Sequence, residues 1–285
     1  MALALAQLVV LMDATFSNMM MKVMGADRDV GLDSDGVRVS STVYLDVMPI
    51  AYALAFIVLL PFGARIADLM GRKRMLMASL VGFAAAAVLG GTASSSGMWI
   101  TGRALQGAFA ALVSSAAPVL VATSFTSPQE RRKAFGIYIA IAGGGPALGL
   151  LTAWSLPLDL GWRWYLYGGI PFAAVAVIGA AALVRDRPGR IGVRFDGLGV
   201  LLGAAGIAGI SGAIPHFTGQ EFQLPTAGIL LAAFVWWQTR TPGTLASPPG
   251  IEGTRAHVGY FLAMALANVG VYALLVASDF VPLRV

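Results

Sequence analysis

With 285 residues, 58% of them hydrophobic and 12% charged, the chain carries more apolar surface than a soluble domain of its size can bury. A net charge of +5 does not point to nucleic acid, because the basic residues fall in short segments between long apolar runs, where the positive-inside bias places them. The absence of Cys removes disulfide frameworks, thiolate metal sites and cysteine nucleophiles together.

About 20 apolar residues are needed per bilayer crossing. Nine stretches are of that order: 2–24, 43–62, 75–94, 98–122, 135–157, 165–184, 197–215, 223–239 and 258–281. The first lacks a basic leading region and a small-residue cleavage site, so it is expected to be a retained span and not a signal peptide. With alternate connections assigned to one side, the segments around 63–74, 124–134, 185–196 and 240–257 hold thirteen Lys or Arg, and the opposite ones four. That asymmetry predicts a cytoplasmic N-terminus.

In span one the run LMDATFSN places Asp13 about halfway across, with Thr15 and Asn18 nearby. A carboxylate at that depth costs roughly 2.5–3.5 kcal/mol on insertion scales, so it must face protein or water. Two readings stay open: a protonatable coupling site, or a carboxyl that only packs helices. The following loop, Gly25 to Ser41, contains DSDG but lacks the earlier ligand positions and the closing Glu of a calcium loop. Span two ends with Pro61 ahead of the stretch Gly63 to Leu76, GARIADLMGRKRML, whose Arg65, Asp68, Arg72, Lys73 and Arg74 no lipid interior could hold. It is expected to be a loop, on the cytoplasmic side.

That stretch, with Asp68, Gly71, Arg72 and Lys73 in fixed order after a span, resembles the loop between the second and third spans of the major facilitator superfamily of secondary transporters. Ala64 stands where that family has Gly, and Gly63 lies one place earlier. The span-one run MDAT followed by Asn18 resembles the LDxT-type motif of the fourteen-span drug:proton antiporter branch. Met19, Met20, Met21 and Lys22 depart from it, which points to an early end of this span. The resemblance implies that Asp68 with Gly63, Gly71, Arg72 and Lys73 forms an inner gate.

Span four opens MWITGRALQG, with Arg103 about 7.5 Å in from the surface and within about one helical turn of the depth of Asp13. Pairing is how buried charge is normally tolerated. The other reading is that Arg103 reaches outward and anchors the helix. Arg103, Gln106 and Gly107 are similar to the RxxQG signature of the family's fourth span, where the Arg is implicated in proton transfer. The resemblance thus implies that Asp13 and Arg103 carry proton coupling, with Thr15, Asn18, Gln106 and Gly107 lining the substrate cavity.

SPQERRKAFG ahead of span five looks like the family's inner loop of this position. Span five carries GGGPALG, where Pro146 should kink the helix and the glycines permit close approach. Gly145, Pro146 and Gly149 resemble the antiporter signature GPxxGG, with Leu150 in place of its second Gly; a generic glycine-rich packing face is the alternative. A phosphate-cradling loop is excluded, since no Lys-Ser or Lys-Thr follows. GWRW at Gly161 to Trp164 and FDGLG at Phe195 to Gly199 look like further marks of the fourteen-span branch. His216, Glu221 and His257 show no metal-ligand spacing.

The expected fold is an all-α polytopic membrane protein: an N-terminal six-helix bundle over 1–184, a loop with two linker helices over 185–240, and over 241–285 a loop with the first helix of an incomplete second half. The resemblance covers nearly the whole chain but about two thirds of a complete transporter. It implies proton-coupled antiport of amphiphilic small molecules across a bacterial cytoplasmic membrane, with a proton gradient, no cofactor and no nucleic acid. The alternatives are a truncated chain or half-transporter that needs a partner supplying the other bundle, or a family member for another solute class. An embedded enzyme would need a cluster of His, Asp or Glu near one membrane face, and the sequence offers none.

Overall fold

The computed structural model describes residues 1–26, 41–125, 127–155 and 163–184, with isolated positions between 198 and 240. Eight helices fill these segments: α1 Ala2–Ala26, α2 Ser41–Met70, α3 Arg72–Gly91, α4 Ser96–Ser124, α5 Pro128–Gly143, α6 Gly145–Ser155, α7 Arg163–Tyr167 and α8 Ile170–Leu183. No strand occurs among the described residues. Arg72–Gly91, Gly97–Ser124, Pro128–Thr152 and Arg163–Leu183 are each long and apolar enough to cross a membrane, and the chain is an all-helical polytopic membrane protein. The first six predicted spans correspond to α1, α2, α3, α4, α5 with α6, and α7 with α8. The ninth lies outside the described residues, as do most of the seventh and eighth.

Four local features have physical reasons. Span five is broken at Gly144, because Pro146 has no N–H to return to the preceding turn; the Gly144 N–H is shared between the Ala140 and Ile141 carbonyls at 3.3 and 3.1 Å. Span six is broken the same way at Gly168 and Gly169, ahead of Pro171. The expected loop from Gly63 shrinks to a single residue. Ala64, Ile66, Ala67 and Leu69 extend the helical apolar pattern, so α2 runs on to Met70, and Gly71 makes the turn at φ 89°, a region that favours glycine. Nor does α1 stop early. Met19 to Lys22 are good helix formers, and the helix continues to Ala26.

α4 is the centre of the bundle because small residues let its neighbours come close. A Cβ on Gly63 would lie 2.7 Å from the Ser115 Cβ, and one on Gly102 would lie 2.8 Å from the Gly90 nitrogen. A Cβ on Gly107 would run into the backbone carbonyl of Tyr52. These contacts set α2 and α3 against α4 at backbone distance, as small residues do where lipid supplies no hydrophobic drive. Val9, Leu76, Leu80, Phe83, Ala110 and Val113 are among the side chains buried between the helices.

α3 runs antiparallel to α7 and α8 and is clasped to them at both ends. Lys73 Nζ at the start of α3 donates to the Ala181 carbonyl near the end of α8 (2.8 Å). At the other end, Arg163 Nε and Nη2 donate to the Gly91 and Ala93 carbonyls (3.0 and 3.3 Å). Each cation meets the negative end of the partner helix dipole.

Candidate functional site

Asp13 on α1 is brought face to face with α4. Arg103 and Gln106, three residues apart, share one side of that helix. Arg103 Nη1 lies 3.3 Å from Asp13 Oδ2 in a buried ion pair. The same nitrogen donates to Gln106 Oε1 at 2.6 Å, and Gln106 Nε2 donates to Asp13 Oδ1 at 2.8 Å. The three groups close a ring, and Asp13, Arg103 and Gln106 are 1%, 2% and 0% exposed. At that burial each charge is tolerable because the other is in contact with it.

A fourth group joins from α2, and nothing in the sequence reading singled it out. The Tyr52 ring lies under the guanidinium, with Arg103 Cζ 4.5 Å from its centroid, and Phe56 stacks behind it at 6.2 Å. The Tyr52 hydroxyl is buried and has no hydrogen-bond partner among the described residues. The ring face is therefore its contribution to the cluster, as a cation–π partner. A phenol at the start of an otherwise apolar run, AYALAFIVLL, is the signal that could have found it.

The other sequence-selected residues fall into different surroundings. The Thr15 hydroxyl donates to the Leu11 carbonyl of its own helix (3.2 Å). Gln106 has both ends of its amide engaged, and Gly107 lies under the α2 backbone. The Asn18 and Asp68 side chains lie outside the described residues. Gly145 and Gly149, four residues apart on α6, press on α1: Cβ atoms there would lie 2.8 Å from the Leu8 and Met12 carbonyl oxygens respectively. This is a small-xxx-small contact, with Pro146 two places beyond the break at Gly144. Of the gate residues, Gly71 makes the turn, Lys73 binds the end of α8, and Gly63 packs on Ser115. Arg72 begins α3.

A second polar cluster, also absent from the sequence reading, lies about two helical turns from Asp13 toward the start of α1. Gln7 Nε2 donates to Ser114 Oγ on α4 (3.1 Å), and the Tyr138 hydroxyl on α5 donates to Gln7 Oε1 (3.3 Å). These groups are half-buried, unlike the first cluster.

A polar lock inside a bundle of spanning helices belongs to an integral, multi-pass helical membrane protein. The Major Facilitator Superfamily model matches residues 3–281, and the chain belongs to that family. It is 38% identical over 275 residues to the puromycin resistance protein pur8 of Streptomyces alboniger, covering 94% of this chain and 52% of the relative. It is 36% identical to the cephamycin export protein CmcT of Amycolatopsis lactamdurans, over 76% of this chain and 47% of that one. To the multidrug resistance protein Stp of Mycobacterium tuberculosis it is 31% identical, over 67% and 37%. The chain thus spans about half, or less, of the length of these relatives.

Proposed function

We propose that this chain forms the N-terminal bundle of a proton-coupled exporter of amphiphilic small molecules, in a bacterial cytoplasmic membrane with its N-terminus inside. The observation that carries the reading is the buried ring of Asp13, Arg103 and Gln106 between α1 and α4. A proton arriving at Asp13 removes the negative charge that holds Arg103, and the guanidinium keeps Gln106 and the Tyr52 ring as partners. Proton binding then weakens the tie of α1 to α4 while leaving α4 and α2 together, so one protonation biases one helix contact. The names of the relatives, which speak of resistance and export, support outward transport of drug-like molecules. Asp68 with Gly63, Gly71, Arg72 and Lys73 would serve the inner gate, and Gly145, Pro146 and Gly149 the bend of span five.

Alternating access needs two bundles rocking about a shared site. The proposed cycle accordingly includes a second bundle, from a longer protein or from a partner chain. Dye efflux from proteoliposomes driven by a pH step tests the reading. The wild-type chain, with its second bundle supplied, is expected to expel ethidium under the gradient, and Asp13→Asn is expected to abolish the gradient-driven part when equal amounts of folded protein are reconstituted. Unchanged exchange in Asp13→Asn would remove that residue from coupling.

A further inference from the structure

The Asp13 ring is closed, which raises the question of what on these helices touches the solute. Its polar atoms are engaged with one another and buried, the Thr15 hydroxyl is spent on its own helix, and Gly107 lies under α2. The second cluster differs on each count. Leu3, Gln7, Leu11 and Ala14 recur at helical spacing and are the half-exposed positions of one stripe of α1. Gln7 lies on that stripe between Ser114 of α4 on one side and Tyr138 of α5 on the other.

We propose that Gln7, Ser114 and Tyr138 form a hydrogen-bonding subsite for the transported molecule, taking an amino, hydroxyl or amide group carried on an aromatic frame. The inference rests on the transport reading and adds to it where the solute is held and by what chemistry. The capacity of the cluster supports it. An amide nitrogen has two hydrogens and Gln7 uses one; a phenol oxygen also accepts, and Tyr138 only donates; the Ser114 hydroxyl accepts and has its own hydrogen to give. Among the described residues one N–H, one O–H and the phenol lone pairs thus have no other partner at this spot, so the subsite can meet both a donor and an acceptor. The Phe135 ring stands edge-on to Tyr138 at 6.3 Å, adding an aromatic wall to the polar groups. Gln7 lies six residues before Asp13, about 9 Å along the same helix, so a solute held at Gln7 bears on the helix that carries the ion pair.

Two probes of equal charge separate this from a mere tie between three helices. Ethidium carries two aryl amines, and tetraphenylphosphonium has no hydrogen-bonding group. Binding of both to the purified chain, with its second bundle supplied, is measured by fluorescence for the first and by a tetraphenylphosphonium-selective electrode for the second. Tyr138→Phe, which removes one oxygen, and Gln7→Leu are each expected to weaken ethidium about fivefold, the worth of one net hydrogen bond, with tetraphenylphosphonium unchanged. An equal loss for both probes, or no loss for either, overturns the subsite and leaves transport standing. If the unsubstituted chain with its second bundle supplied binds neither probe, the transport reading fails first and the subsite with it.

Discussion

Replacing Asp13 by Asn leaves a guanidinium with no anion inside the bundle, and the structure sets how much that should cost. Breaking a buried ion pair by removing one partner typically destabilises by about 3–5 kcal/mol. Here Arg103 retains the Gln106 Oε1 acceptor at 2.6 Å and the Tyr52 ring at 4.5 Å. A desolvated ring face can supply about 2 kcal/mol, so the lower end, about 3 kcal/mol, is expected. Arg103→Met is not the mirror image. The abandoned carboxyl escapes by binding a proton, whereas a guanidinium does not lose one. What remains is the unmet Gln106 oxygen and a changed shape, together about 1–2 kcal/mol. Asp13→Asn should therefore be the more damaging single change, and the double variant should cost at least about 1 kcal/mol less than the two summed. Unfolding of the purified chain in mixed micelles by titration with SDS measures all four members of the cycle. Additivity within about 0.5 kcal/mol, or the reverse order of the two single variants, would refute the ion-pair argument.

Two further predictions use the same assay. Tyr52→Phe keeps the ring face under Arg103 and removes a buried hydroxyl without a partner among the described residues, so it is expected to be neutral or to stabilise by up to about 1 kcal/mol; Tyr52→Leu loses the ring and should cost about 2 kcal/mol or more. Equal effects would show that the cation–π contact contributes nothing. Gly149→Val drives side-chain atoms against the Met12 carbonyl and Thr15 on α1 and should cost about 1–3 kcal/mol, whereas Gly136→Ala, with nothing within 4 Å of its new Cβ, should stabilise α5 by about 0.5–1 kcal/mol. If Gly149→Val is neutral, α6 does not depend on glycine to approach α1.

How much of this was legible beforehand depends on the kind of signal. The encounter of Asp13 with Arg103 follows from depth and charge alone: two ionisable groups at similar levels in lipid have few other ways to be tolerated. The break at Gly144 follows from Pro146 in the same way. Tyr52 was not legible, because a phenol in an apolar run reads as packing until an arginine on another helix is known to lie over it. Gln7 was obscured by geometry within its own helix. It lies roughly 120° around α1 from Asp13 at 100° per residue, and its partners, Ser114 further along α4 and Tyr138 on α5, are uncharged groups that no argument from depth and charge brings together. The α2 end was misjudged for a third reason: Arg65 and Asp68 read as a loop by composition, while the backbone needed only one glycine to turn.

In the proposed cycle the two polar clusters have to be different in kind, and their burial fits that need. A coupling site works by changing charge in a place where charge is costly, which favours closed surroundings such as those of Asp13 and Arg103. A solute site must open to a molecule of drug size and release it, which favours the half-buried surroundings of Gln7, Ser114 and Tyr138. Both clusters run through α1, which also meets α6 at Gly145 and Gly149 with almost no space between backbones. A small shift of α1 on losing its hold on Arg103 therefore cannot be absorbed at the glycine contact. It has to appear as movement of α6 together with α1, or as a changed distance between Gln7 and Ser114. Distance measurements between spin labels on α1 and α4 and on α6 and α4, at low and high pH, would distinguish the two. An unchanged separation in wild type and in Asp13→Asn alike would leave no mechanical link between the proton and the solute.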